Sequence, residues 1–469
     1  MLRALTPLLI LLTTNALRAA EPFALRGYYL TFMRMPAMEL ADWKQAVDGF
    51  AQDNANVIIL WTAGGFRSKK FPITWEYNRD HANVTNDFVR ALIDYAHTKK
   101  IRVLLGFTPF GYDGVNRYPI EHPELKAKKA DGSPVDEFGI HCWGWNLCAA
   151  QPESQRFMRE YISEMCFDFY PNADGLLIES SDYNICRCKD CGAKYYDNEF
   201  AFVRWISDEV WKRNKDALIL VFPHYFTGQK VPGMDATAAR QPFDPRWGLS
   251  FSPHSSHFDD ALIKQASAST YWTDAPILGT PQRVMEAARA ARQHHVTGFI
   301  PSLEAFSYIA QHTEGGEPSP IGKRKMPWGL DATTAAGKMP YNTLPARIQR
   351  AAVREFSADP DLPFDQFATR LGQQFFGDKS TPQLVSDLLA LQRIWTYESD
   401  WYWSSPLLDP AFFKVRAQRL KWSASKLAEF DANLDRLKEI ASRLPETEMT
   451  RPAREVINRW GNNRPSTHR

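Results

Sequence analysis

After its first twenty residues the chain lacks any apolar run long enough to cross a bilayer, which excludes a later membrane span. It also lacks an excess of either charge. Lys and Arg number 56 against 54 Asp and Glu, a formal net charge of +2, so neither nucleic acid nor an anionic membrane surface is expected as a partner. Cysteine is scarce, with 6 in 469 residues. No thioredoxin-like pattern surrounds any of them, which argues against dithiol redox chemistry. None lies near the end of the N-terminal apolar stretch, which disfavours lipid attachment there.

What the chain does have is tryptophan, 15 residues, within an aromatic content of 13%. Aromatic faces suit the apolar C–H faces of sugar rings, but they also fill cores, so composition alone leans only weakly toward carbohydrate. Residues 1–20 have the pattern of a secretory signal peptide: Arg3, then an apolar run centred on Leu8 to Leu12, then Ala19 and Ala20. Export to the periplasm or the extracellular space is the expectation.

Strands and helices alternate from Ala24 onward. Short apolar runs read as strands at Leu25–Phe32, Asn56–Trp61, Ile101–Phe107, Gly175–Ile178, Leu218–Pro223, Leu249–Pro253, Ser269–Trp272 and Thr297–Leu303. Helical periodicity lies between them, including Glu39–Asp53, Asn86–Lys99, Pro152–Phe169 and Glu199–Lys212. This pattern predicts an α/β fold, a (β/α)8 TIM barrel over 21–313, with active-site residues on the loops that follow the strands. A Gly/Pro-rich linker, 314–343, precedes a C-terminal helical region, 344–469.

The chain is organised around ADGLLIESSDYNICRCKDC, Ala173 to Cys191. Its compact apolar strand stops at Glu179. Glycosidic bond hydrolysis in most families uses two carboxyl groups, and Glu179 and Glu304 both end barrel strands. Glu179 is the candidate acid, its proton held by desolvation at the barrel mouth. Glu304 is the candidate nucleophile or base, or a ligand for sugar hydroxyls. Asp182, His224, Tyr225, Trp272, Asp274 and Trp61 are strand-end groups suited to binding substrate. This chemistry requires no cofactor.

Cys186, Cys188 and Cys191 form C-x-C-x-x-C directly after the fourth strand. With Cys142 or Cys148 from the preceding long loop they suit either a structural zinc site or disulfides. Either arrangement would pin the loops after strands three and four together.

The strings WNLCAAQPESQRFMREYI, ADGLLIES and CRCKDC resemble bacterial exported proteins related to β-N-acetylhexosaminidases and α-glucuronidases. The run YNTLPARIQRAAVREFSADPDLPFDQFATRLGQQFFG resembles the helical segment that follows their barrel. The resemblance implies a (β/α)8 glycoside hydrolase acting on an oligo- or polysaccharide. Hexosaminidases of the substrate-assisted type end strand four with an Asp-Glu pair. Glu179 matches the acid, but Ile178 occupies the Asp position, which leaves the sugar open. By the same resemblance, Glu304 corresponds to a Glu that binds sugar hydroxyls and Trp272 to the strand-seven aromatic. Two other readings compete: a barrel that binds carbohydrate without catalysis, and a zinc-dependent hydrolase built on the cysteines.

Overall fold

The structure is a computed structural model that describes residues 21–30, 39–135, 144–302, 344–395 and 422–458, apart from short gaps at 77–78, 80–81, 86, 113, 182–183, 229–239, 253–257, 274–279, 449, 452–453 and 456. The signal segment, the linker 314–343, Glu304, Asp182, Asp274 and Cys142 lie outside the described residues.

Eight parallel strands close into a barrel in chain order. They are β1 (Leu25–Leu30), β2 (Val57–Trp61), β3 (Arg102–Phe107), β4 (Gly175–Ile178), β5 (Leu218–Val221), β6 (Gly248–Phe251), β7 (Ser269–Tyr271) and β8 (Gly298–Phe299). Closure comes from Leu25 and Arg26 of β1 pairing with Gly298 and Phe299 of β8. The eighth strand is shorter than its apolar run predicts, although Ser302 beyond it still bridges to Tyr29.

The barrel helices are α1 (Leu40–Gln52), α2 (Val89–Thr98), α3 (Pro152–Ser163), α4 (Tyr195–Arg213), α5 (His224–Thr227), α6 (Asp260–Ile263), α7 (Pro281–Gln293) and α8 (Leu344–Ala358). The helix predicted over Pro152–Phe169 changes character at Glu164, where a π-helical segment runs to Phe169. The widened turn carries Glu164 into the interior, where its carboxylate accepts from the Ser68 hydroxyl at 2.6 Å and the Lys69 amide at 2.8 Å. That contact docks the loop after β2 onto the helical layer. Further helices follow as α9 (Phe364–Phe376), α10 (Pro382–Trp395) and α11 (Ala424–Arg443).

Alternation along each strand sorts its side chains. Tyr29, Ile59, Trp61, Leu104, Leu177 and Leu220 share one cluster inside the barrel. Tyr28, Ile58, Leu105, Ile178 and Val221 join the larger core beneath the helices. Gly106 stands where a Cβ would come within 3.0 Å of the Trp61 ring, so the absence of a side chain gives the indole its space.

Helix α8, the first of the C-terminal helical region, packs against α7 and the end of α1, in the place of the eighth barrel helix. Its Arg350 reaches Asp53 just after α1, Nε to Oδ2 at 2.6 Å, and the Tyr28 hydroxyl donates to the same oxygen at 2.9 Å. Arg350 and Asp53 are 8% and 7% exposed. Burial pushes the Asp53 carboxyl upward while the Arg350 guanidinium pulls it back. Removing one partner of such a pair leaves a buried charge unmatched. Arg350→Met is therefore expected to cost about 3–5 kcal/mol, and adding Asp53→Asn should recover a large part of it. Urea unfolding of the two single variants and the double variant measures the coupling. Additive losses would mean that the pair does not hold α8 to the barrel.

Candidate active site at the barrel mouth

Glu179 follows β4 directly, and its amide donates to the Phe107 carbonyl at 3.0 Å, prolonging the strand pairing by one residue. Leu177 points inward and Ile178 outward, so Glu179 falls on the inward parity at the open end of the barrel. The Tyr29 hydroxyl from β1 donates to its Oε2 at 3.3 Å. The Tyr29 ring meets Trp272 edge-on at 5.8 Å and lies 6.1 Å from Trp61. Tyr112, from the loop after β3, joins the same cluster. Of the residues singled out in the sequence, the structure thus brings Glu179, Trp61 and Trp272 together. It adds Tyr29, whose place on the inward face of β1 was readable from strand parity. Ile178 packs outward under the helices, so it takes no part in the cleft.

Behind β4 lies a second carboxyl that the sequence reading missed. Glu199 of α4 is fully buried. Its Oε1 accepts from the Ser180 hydroxyl and from the Tyr225 hydroxyl, each at 2.5 Å, and its Oε2 accepts from the Ser181 amide at 3.3 Å. The Ser181 hydroxyl in turn donates to the Pro109 carbonyl at 2.6 Å. Glu199 therefore fixes the two residues that follow Glu179. The Tyr225 hydroxyl, expected to meet a sugar, is committed to this buried carboxyl. His224 is buried against the rings of Tyr225 and Tyr196 at 4.1 and 5.0 Å. Neither of its ring nitrogens has a hydrogen-bond partner among the described residues. Burial pushes its pKa down to about 3, so the imidazole is neutral at physiological pH.

The third feature is the cysteine cluster. The Cys148 sulfur lies 3.7 Å from that of Cys188 and 3.6 Å from that of Cys191. The four sulfurs of Cys148, Cys186, Cys188 and Cys191 all lie within 4.8 Å of one another. All four are free thiols, as is Cys166, which lies apart and whose thiol burial pushes up to about 12. The cluster joins the loops after β3 and β4, which also meet where the Arg187 amide donates to the Lys128 carbonyl at 2.7 Å. A cavity of about 620 Å³ between the start of α7 and helices α9 and α10 is lined by other residues and takes no part in this constellation.

No family model matches the sequence, and no curated protein matches it. Among the solved structures to which the chain is similar are several glycoside hydrolases. One is a GH138 enzyme targeting pectin rhamnogalacturonan II, 11% identical over 95% of this chain and 56% of that one, with a TM-score of 0.49. The chain thus spans little more than half the length of that enzyme. Another is the pneumococcal virulence factor StrH, 12% identical over 89% of this chain and 98% of that one, TM-score 0.47. A third is the chitobiase of Flavobacterium johnsoniae, 12% identical over 94% of this chain and 71% of that one, TM-score 0.44. The assignment of the barrel rests on the strand pairing, independently of these likenesses.

Burial pushes the Glu199 carboxyl up to about 7, against the opposing hydrogen bonds from Ser180 and Tyr225. An unfolded Glu titrates near about 4.3. Between these values the folded chain keeps a proton that the unfolded chain has lost, so stability falls as pH rises through that window. Glu199→Gln has no proton to lose. Its unfolding free energy relative to the native chain should therefore shift in its favour by about 2–3 kcal/mol between pH 5 and pH 8. Urea unfolding across that range tests this, and a pH-independent difference would show that Glu199 does not titrate there.

Proposed function

We propose that the chain is an exported glycoside hydrolase that cleaves a glycosidic bond in an oligo- or polysaccharide, with Glu179 as the proton donor. One observation carries this reading. A carboxyl group stands at the C-terminal end of a central barrel strand, on the inward parity, hydrogen-bonded by Tyr29, whose ring in turn packs near Trp61 and Trp272. That end is where (β/α)8 enzymes hold their catalytic groups. The Tyr29 hydroxyl, on Oε2, helps to hold the carboxyl in place.

The half-buried Trp272 supplies an apolar face for sugar C–H groups, with the buried Tyr29 ring packed edge-on against it. His224, buried against Tyr196 and Tyr225, enters the proposal only by its position after strand five. Glu304, Asp182 and Asp274 complete the proposal as the second carboxylate and as ligands for hydroxyls, on the strength of their positions after strands eight, four and seven. No cofactor enters this chemistry. Export rests on the pattern of residues 1–20. No helix among the described residues is long and apolar enough to cross a membrane.

Glu179→Gln keeps the shape and removes the acid. On an unactivated glycoside, turnover should fall by about 10²–10⁴. A substrate with a good leaving group needs little proton donation and should lose much less. A panel of chromogenic glycosides and plant or algal polysaccharides finds the substrate first. Equal losses on both kinds of substrate would remove Glu179 from the role of acid, and a chain that binds glycans but turns over none would be a binding protein.

A further inference from the structure

We propose that Cys148, Cys186, Cys188 and Cys191 form a closed four-thiolate site for a tetrahedral divalent cation of the zinc class, which locks the exit loops of β3 and β4 together beside Glu179. The proposal stands apart from the glycosidase reading and does not need it.

The geometry is the first argument. Four sulfurs at a Zn–S distance of about 2.3 Å stand about 3.8 Å apart along the edges of a tetrahedron. The Cys148 sulfur lies 3.7 and 3.6 Å from two of the others, and the whole set falls within 4.8 Å. One cation fits between sulfurs spaced in this way. Two disulfides would draw the sulfurs into two bonded pairs, each at about 2.05 Å.

The donors around the sulfurs are the second argument. The Lys128 amide donates to the Cys186 sulfur at 3.3 Å. This N–H faces the sulfur and would stabilise the charge of a thiolate. Four thiolates around a divalent cation carry a net charge of −2. Arg187, Lys189 and Lys194 in the same loop, with Lys126 and Lys128 in the facing one, offset it.

The third argument concerns what the site does. Four sulfurs fill a tetrahedral shell and leave no position for water or substrate. A zinc-dependent hydrolase built on these cysteines is therefore disfavoured, and a structural centre is favoured. Binding sends the thiol protons to solvent, so occupancy should decline as pH falls.

The experiment uses the full chain, purified without chelator. Elemental analysis is expected to find about one zinc per chain. After reduction and chelator treatment, added Co²⁺ should give the visible and sulfur-to-metal charge-transfer bands of a tetrahedral tetrathiolate centre, saturating at about one equivalent. Cys148→Ser should weaken or abolish that spectrum. Cys142→Ser should leave it intact, because the four ligands are complete without Cys142. If Cys148→Ser fails to fold, the native titration and Cys142→Ser still decide the matter. Disulfides among the four cysteines in the isolated chain, or no tetrathiolate spectrum from the reduced chain, would overturn the proposal. So would loss of that spectrum in Cys142→Ser.

Discussion

A strand hydrogen-bonded on both sides has only two directions for its side chains, and in a closed barrel those directions are the packed interior and the packed helical layer. Both are dry, so a carboxylate on such a strand belongs past the last paired residue, at the open end. Everything of chemical interest here follows from that constraint. β4 is apolar through Ile178 because it is covered on both faces, and Glu179 is where the pairing runs out. The same rule sets Tyr29 and Trp61 on the inward side near the ends of β1 and β2, where Tyr29 meets Glu179 and its ring lies near Trp61 and Trp272.

The loop after β4 is held twice. At its start, Glu199 reaches through from the helical layer and takes hydrogen bonds from Ser180 and Ser181. Further on, the cysteine cluster ties it to the loop after β3. Two glutamates twenty residues apart in sequence therefore serve one turn from opposite sides. Glu179 faces the cleft, and Glu199 is buried where its carboxyl meets only protein.

The strands were legible in the sequence because a strand buried on both faces leaves a compact apolar run. The runs ending at Trp61, Phe107 and Ile178 needed no further information. Glu179 was legible for the same reason, as the first charge after such a run. Glu199 was not, because a carboxyl at the start of an amphipathic helix reads as an ordinary solvated first-turn acid. Only the fold shows that the Ser180 and Tyr225 hydroxyls converge on it. The place of α8 was hidden by the long Gly/Pro-rich interruption before it, which reads as a boundary between units. In fact Arg350 returns to Asp53, a partner some three hundred residues earlier, and no local pattern encodes a contact so distant. The cysteine spacing marked three members of a cluster at once but left Cys142 and Cys148 both open as the fourth. Loop geometry brings Cys148 to them.

The anchoring of α8 bears on how this protein can vary. Ser302 is bridged to Tyr29 and Arg350 is paired with Asp53, so the chain leaves the barrel and rejoins it at two points fixed by the same frame. Entropy charges a segment with pinned ends little for extra length, about 0.6 kcal/mol for each doubling. The length of chain between these two points can thus change over evolutionary time without disturbing the register of the eight strands.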